Sequence, residues 1–177
     1  MQFNINDALP VLERTPQVVS DLLKDLPETW LFKNEGGDTW NPYDVVGHLI
    51  HGERTDWIAR MEICLSDGPN KKFEKFDRTA MFEESKGKSL DELLQEFAEL
   101  RKQNIQKLRS VTLDEATLDK KAIHPVFGEV NLRQLLSTWV AHDLTHIYQI
   151  VRVMAKQYDQ EVGPWKEYLG ILKDRQS

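Results

Sequence analysis

The chain has 177 residues, a length sufficient to bury a core without disulfide bonds. Hydrophobic residues make up 40% of it and charged residues 29%, which are ordinary values for a globular protein. Its net charge of −6 and pI near 5.4 argue against a nucleic-acid partner, because such proteins present a basic surface to the phosphates. The single cysteine, Cys64, excludes an internal disulfide, and no apolar run reaches the ~18 residues of a membrane span. With no signal peptide visible, we expect one cytoplasmic domain over residues 1–177 and no membrane partner.

The first predicted helix runs from about Asp7 to Asp25. Its apolar residues recur at helical spacing, namely Leu9, Leu12, Val19, Leu22, Leu23 and Leu26. Pro16 should kink or interrupt this helix, because proline lacks the N–H that the helix needs. Pro27 and the glycine-rich residues 35–38 then indicate a loop.

The second predicted helix begins at Asn41 and Pro42, a cap residue followed by a proline suited to the first helical position. It should continue to about Leu65 and end before the turn-forming residues 66–69. Residues 70–88 show no clear periodicity. They are predicted to cross the bundle as a long irregular connection.

The third helix is predicted from Ser89, which forms a capping-box pattern with Glu92, to about Ser110. Residues 123–130 are bracketed by proline and glycine and indicate a turn or a short hairpin. The fourth helix begins at the cap Asn131 and ends near Tyr158, and a short helix should follow over residues 164–172. Long helices without strand-rich blocks predict an all-α helix bundle.

The fourth helix carries two histidines, His142 and His146, whose spacing of four places them on one face ~5–6 Å apart. Two imidazoles so placed can bind one metal ion at ~2.0–2.1 Å. The same face carries mostly apolar residues, namely Leu135, Trp139, Gln149, Ile150 and Val153. Spacing alone fits equally well two histidines that bind nothing. The absence of Glu after His142 excludes the H-E-x-x-H pattern of metalloproteases.

His48 on the second helix is the best candidate for a third ligand. Its helical row contains mostly small residues, among them Gly52 and Ala59, which allow close helix approach or leave a cavity for a ligand. His51 lies on a more polar side and is expected near the site or at the surface, and His124 is expected as a solvated turn residue. Three neutral imidazoles would leave at least one coordination position open, as in catalytic sites.

Other residues of the pocket are less specific. Gln149 can contact a bound ligand or fill the bundle as a polar residue, and Trp139 is a pocket candidate for which a core position is the favoured alternative. Asp143 is expected on the solvated face of its helix. Cys64 is a poor nucleophile candidate, because it lies on an apolar side with no neighbouring base.

These motifs resemble the DinB-like family over nearly the whole chain. The matching stretches, in chain order, are Trp40-Asn41-Pro42, Gly47-His48-Leu49, residues 124–130 (HPVFGEV), residues 139–149 (WVAHDLTHIYQ) and residues 162–169 (VGPWKEYL). The resemblance implies an antiparallel four-helix bundle with a long connection between helices two and three. It also implies that the metal ligands of the family fall on His48, His142 and His146, and that the protein is a homodimer.

Relatives in this family transfer low-molecular-weight thiols or isomerise substrates with thiol help. The resemblance therefore implies a thiol-dependent transferase or hydrolase acting on a small electrophile, with Zn or Ni as the metal that imidazole ligands suit. Two alternatives stay open: a binding or sensing module without turnover, and a bundle with a purely structural metal. An Asp or Glu on the ligand-bearing helix face could serve as a general base and would favour the enzyme. The sequence shows no such residue there.

Overall fold

The computed structural model describes residues 1–173; residues 174–177, which the sequence assigns to the same domain, lie outside the described part. The helices are α1 (Ile5–Leu23), α2 (Glu28–Leu31), α3 (Pro42–Thr55), α4 (Trp57–Leu65), α5 (Ala80–Glu84), α6 (Leu90–Arg109), α7 (Glu115–Leu118) and α8 (Leu132–Lys156). The strands are β1 (Lys121–His124) and β2 (Gly128–Asn131), and 3-10 turns cover Gly163–Tyr168 and Gly170–Leu172.

Helix α1 continues through Pro16, so the predicted interruption there is wrong. A proline within a helix leaves the carbonyl four residues earlier without its N–H partner, and here that carbonyl belongs to Leu12. The guanidinium of Arg101 supplies a replacement, because its Nη1 donates to the Leu12 oxygen at 2.6 Å. A side chain from α6 thus compensates for the bond that Pro16 removes.

The second predicted helix is two helices, α3 and α4, separated at Asp56. Its start is confirmed: the Asn41 side chain and the Asp44 side chain form a reciprocal capping box. Just before the break, the Thr55 hydroxyl donates to the His51 carbonyl at 2.8 Å, a bond that bends helices. Asp56 then departs from helical geometry, with φ −108° and ψ −70°.

The predicted four-helix bundle is confirmed, with α1, α3, α6 and α8 as its long members. Helices α1 and α3 each pack against both α6 and α8. Helix α6 runs antiparallel to α1, since Arg109 pairs with Glu13 near one end while Asp91 and Lys24 line the same groove near the other. Helix α3 runs antiparallel to α8 and in the same direction as α6. The parallel pair is possible because the long connection, predicted over residues 70–88 and observed over residues 66–89, returns the chain to the end at which α3 began.

The long connection is tied closely to α3. The Tyr43 hydroxyl lies 2.7 Å and 2.8 Å from the carbonyl oxygens of Ser85 and Lys88. Gly47 permits this approach, because a Cβ at that position would lie 2.5 Å from the Ser85 hydroxyl oxygen. Residues 123–130, predicted as a turn or a short hairpin, belong to the antiparallel β1–β2 hairpin. Earlier in the connection, the backbone N–H of Phe73 donates to the carbonyl oxygen of Ile123 in this hairpin.

The bundle core consists of two apolar clusters with buried polar residues between them. Along α8 the first cluster includes Leu136 and Trp139, and the second includes Ile150. Asp143 and His146 lie between these positions and are also buried. Within residues 1–173, no helix combines the length and the apolar character required to cross a bilayer.

Candidate metal site

Three histidines converge in the middle of the bundle, and we call His48, His142 and His146 the histidine cluster. Helix α3 supplies His48, and α8 supplies the other two. The Nε2 atom of His142 lies 3.1 Å from that of His48 and 3.0 Å from that of His146. Nitrogens that share one tetrahedral ion at ~2.0–2.1 Å lie roughly 3.3 Å apart, so the spacing suits a common ion.

The histidine cluster is neutral at physiological pH. Burial, aided by the neighbouring imidazoles, lowers the pKa of His48 to about 3 and that of His142 to about 2. Burial also lowers the pKa of His146. Metal binding requires the neutral imidazole, because only that form has a free lone pair. A hydrogen bond between two imidazole nitrogens needs a proton on one nitrogen and a lone pair on the other. Three converging nitrogens therefore cannot all be hydrogen-bonded to one another. The donor set fits a divalent cation.

The hydrogen bond of His146 defines its tautomer. Its Nδ1 lies 2.8 Å from the Oε1 atom of Gln149. Because an amide oxygen only accepts, Nδ1 carries the proton and Nε2 keeps the lone pair that faces the other histidines. The Nδ1 atoms of His48 and His142 are buried and make no hydrogen bond to a described residue.

Aromatic side chains form the walls of the site. Trp40 packs against His48 and His146, with ring centroids 4.8 Å and 6.3 Å away. Trp57 meets the His142 ring edge-on at 5.0 Å, and Phe76 lies 5.4 Å from His48. Trp40 and Phe76 come from outside the four long helices, so loops complete a largely apolar enclosure.

Among the described residues, the histidine cluster has no fourth protein ligand of the usual kinds. Over residues 1–173, no cysteine or carboxylate lies close enough to join these three histidines as a group that could hold an ion. Even a tetrahedral ion would therefore keep a position for water or another small molecule.

The four predicted pocket residues differ in their burial and in what they contact. Gly52 is buried on α3, and a Cβ there would lie 3.4 Å from the indole nitrogen of Trp57. Ala59 is half-buried on α4, beyond the break at Asp56. Trp139 is fully buried, and its indole N–H donates to Glu53 at 3.2 Å. Gln149 is the pocket candidate that contacts a histidine of the cluster. Ligand entry at Gly52 and Ala59, between the predicted second and fourth helices, stays a prediction.

The expectation that Asp143 faces solvent is wrong. Asp143 is fully buried and accepts hydrogen bonds from Nη1 and Nη2 of Arg101 at 2.6 Å and 3.0 Å. A signal for the burial of both residues was present in the sequence. Arg101 lies four residues after Phe97 and four before Ile105, and Asp143 lies four after Trp139, so each continues an apolar row.

His51 and Glu84 form a second feature that sequence reasoning missed. His51 is 6% exposed, and its Nδ1 lies 3.0 Å from the Oε1 atom of Glu84. Glu84 belongs to α5 in the long connection, where the sequence shows no periodicity from which its position can be predicted. His124 lies in the hairpin instead, where its Nδ1 accepts backbone hydrogen bonds from Val126 and Phe127 at 3.1 Å and 3.2 Å.

Fold and site together define a helix bundle with a buried three-histidine cluster suited to a divalent metal. The sequence pattern of the DinB superfamily matches residues 11–150, and the chain belongs to that superfamily. Among solved structures, YfiT from Bacillus subtilis shares the fold with a TM-score of 0.73 and 21% sequence identity, covering 86% of each chain. That protein is described as a probable metal-dependent hydrolase with an unusual four-helix bundle topology. No curated protein matches the chain.

Proposed function

We propose that this protein is a metal-dependent enzyme in which water or a small thiol attacks a small electrophilic substrate. His48, His142 and His146 would hold one divalent transition metal, Zn or Ni. The observation that carries the proposal is the convergence of three neutral Nε2 atoms without a fourth protein ligand. An open metal position can activate water for hydrolysis or a thiol for transfer, and the description of YfiT supports the hydrolytic reaction.

A bound divalent ion supplies Lewis acidity, which lowers the pKa of a water or thiol ligand toward neutrality. The residues of this chain supply the rest of the site. Gln149 holds the His146 ring in the tautomer that leaves Nε2 free. Trp40, Trp57 and Phe76 surround the imidazoles and limit the access of bulk water.

Metal loading tests the first part of the proposal. The purified protein, analysed by elemental composition after incubation with Zn²⁺ or Ni²⁺, should contain about one metal ion per chain. The variants His48→Ala and His142→Ala should lose most of the affinity, whereas His124→Ala, a matched control on the hairpin, should retain it. Loss of binding in His51→Ala together with retention in His48→Ala would contradict the ligand assignment.

Cobalt spectroscopy separates the enzyme from a structural metal site. In the Co²⁺-loaded protein, an added small thiol should produce a thiolate-to-metal absorption band, because the open position accepts it. A bulky side chain, as in Ala59→Phe, should weaken thiol binding more than metal binding. A cobalt spectrum insensitive to every added ligand would support a closed, structural site instead.

We further infer that the protein is a cytoplasmic homodimer that binds a small molecule rather than nucleic acid. The family resemblance supports the dimer, and the single buried cysteine agrees with a reducing compartment. Light scattering at micromolar concentration should give about twice the chain mass of 20.6 kDa. A mass equal to one chain would rule the dimer out.

A further inference from the structure

His51 lies beside the histidine cluster without belonging to it. It follows His48 by one turn of α3, a spacing that brings the two side chains within ~5–6 Å at Cβ. Both rings also contact Phe76, with centroids 4.9 Å and 5.4 Å away. The possible metal ligands are His48, His142 and His146. Because His51 is not among them, its ring is free for a different role.

The hydrogen bond to Glu84 determines which nitrogen of His51 is available. A carboxylate accepts from Nδ1–H at 3.0 Å, so the neutral ring keeps its lone pair on Nε2. Nε2 makes no hydrogen bond to any residue in the described range. A carboxylate that orients an imidazole in this way is the arrangement by which enzymes prepare a histidine to accept a proton.

Several charged groups surround the His51 side chain. Glu84 faces the ring from α5, and two further carboxylates, Asp56 and Asp77, interact with it electrostatically. Arg54 and His48 are the opposing groups, and Arg54 is paired with the other oxygen of Glu84 at 2.8 Å and with Glu96. Three carboxylates therefore act on the His51 side chain from different elements, and Arg54 faces them with its guanidinium already paired.

We propose that the His51–Glu84 pair is the general base of this site, an inference that rests on the proposed metal-dependent function. As the nucleophile attacks, its O–H or S–H bond breaks and its electron pair forms the new bond to the electrophilic carbon. The proton moves to Nε2 of His51, while Nδ1–H stays donated to Glu84. The bond between that carbon and the leaving group then breaks, the leaving group takes its electron pair, and the imidazolium returns the proton to it, so the pair ends the cycle unchanged.

A tether between α3 and the long connection is the competing explanation for the same contact. Arg54 allows the role as a tether to be distinguished from the role as a general base. It binds the other oxygen of Glu84 but contributes no proton acceptor. Arg54→Gln therefore weakens the tether and spares the base, whereas His51→Gln removes the base and leaves the Arg54 bond in place.

The test uses the full-length protein loaded with Zn²⁺ and p-nitrophenyl acetate as the hydrolytic probe. His51→Gln should lower the rate constant about 100-fold or more, the usual contribution of a general base, and Glu84→Gln should lower it by less. Arg54→Gln should stay within about threefold of the wild type, and imidazole added to His51→Ala should restore part of the rate. Zinc affinity, measured by chelator competition, should be unchanged in all four variants.

Nitrogen NMR of the histidine side chains provides a readout that is independent of turnover. In the wild type, neutral His51 should carry its proton on Nδ1, and Glu84→Gln should produce a mixture of tautomers. Equal ester rates in wild type and His51→Gln, a proton found on Nε2, or equal losses in Arg54→Gln and His51→Gln would each overturn the proposal. Failure of zinc to bind the wild type would instead overturn the metal-dependent function itself.

Discussion

Two buried polar clusters lie next to each other in the bundle, and they are built on opposite principles. In the arginine cluster, Arg101 binds the Leu12 carbonyl and the carboxylates of Glu53 and Asp143, and Asn104 also donates to Glu53. In the histidine cluster, three Nε2 atoms face one another at 3.0 Å and 3.1 Å, and the Nδ1 atoms of His48 and His142 lack described partners.

The difference indicates what each cluster is for. Buried polar groups in proteins are normally paired, so a cluster that the chain pairs almost completely, with Nε of Arg101 as the exception, stabilises the fold. The arginine cluster joins all four long helices, since its members lie on α1, α3, α6 and α8. A buried cluster that the chain cannot pair fully suits a group from outside. The histidine cluster is therefore the proposed binding site, and the arginine cluster holds the helices around it.

Removing Arg101 should cause the largest loss of stability. Asp143 and Glu53 raise the pKa of Arg101 despite its burial, so the guanidinium is charged and its removal strands two buried carboxylates. The variant Arg101→Met should lower the free energy of unfolding by about 3–5 kcal/mol in urea denaturation. Arg109→Met, a control on the same helix that breaks the exposed pair with Glu13, should cost about 1 kcal/mol or less. Equal losses in the two variants would contradict the structural role of the arginine cluster.

Acid should destabilise the metal-free protein through the histidine cluster. The folded pKa values of about 3 and about 2 lie below the ordinary value of 6.5, so below pH 6.5 the unfolded chain binds protons that the folded chain does not. Stability is thus fully present above pH 6.5, and each such group removes about 1.4 kcal/mol per pH unit as the pH falls further.

His142→Gln removes one of these groups and should show a shallower decline. Urea denaturation of both metal-free proteins between about pH 6.5 and 5 checks this, a range above the titration of most carboxylates. Identical pH dependence in the two proteins would show that the imidazoles are not buried in the neutral form.

Replacing Gln149 should affect metal binding more than stability. Gln149→Leu removes the acceptor that holds the Nδ1 proton of His146, and outer hydrogen bonds of this kind are worth about 10–100-fold in metal affinity. Competition with a chromophoric chelator measures the change in the Zn²⁺ dissociation constant. Gln157→Leu, whose side chain bonds a backbone carbonyl near the end of α8, should leave that constant unchanged. An unchanged constant in Gln149→Leu would mean that His146 needs no orientation.

The smallest expected effect concerns Gly47, beside His48 on α3. Gly47→Ala gains about 1 kcal/mol of helix propensity, but the new Cβ meets the Ser85 hydroxyl at 2.5 Å, a clash of about 1–3 kcal/mol. Thermal denaturation should show a net loss of about 1 kcal/mol. In the Ser85→Ala background the same change should become stabilising. A loss of equal size in both backgrounds would mean that Ser85 is not the obstacle.

Much of the fold was readable from the sequence, because the signals are local. The caps at Asn41, Ser89 and Asn131 lie three residues from their partners; the structure confirms all three caps, and each forms a capping box. The break at Asp56 and the continuity of α1 through Pro16 were missed. Neighbouring residues argue for the opposite outcome at both positions, and in α1 it is Arg101, 89 residues from Leu12, that supplies the missing donor.

For the site, the sequence by itself determined the spacing of His142 and His146 and the helix that carries His48. Only the tertiary structure decided what those residues meet. The nitrogens of His48 and His142 come together across 94 residues, and the pairs Arg101–Asp143 and His51–Glu84 form across 42 and 33 residues. Periodicity assigns a residue to a face of its own helix, but the partner on another element depends on how the elements pack. Glu84 shows this most clearly, because it lies in a connection without periodicity and reaches His51 only when that connection folds over α3.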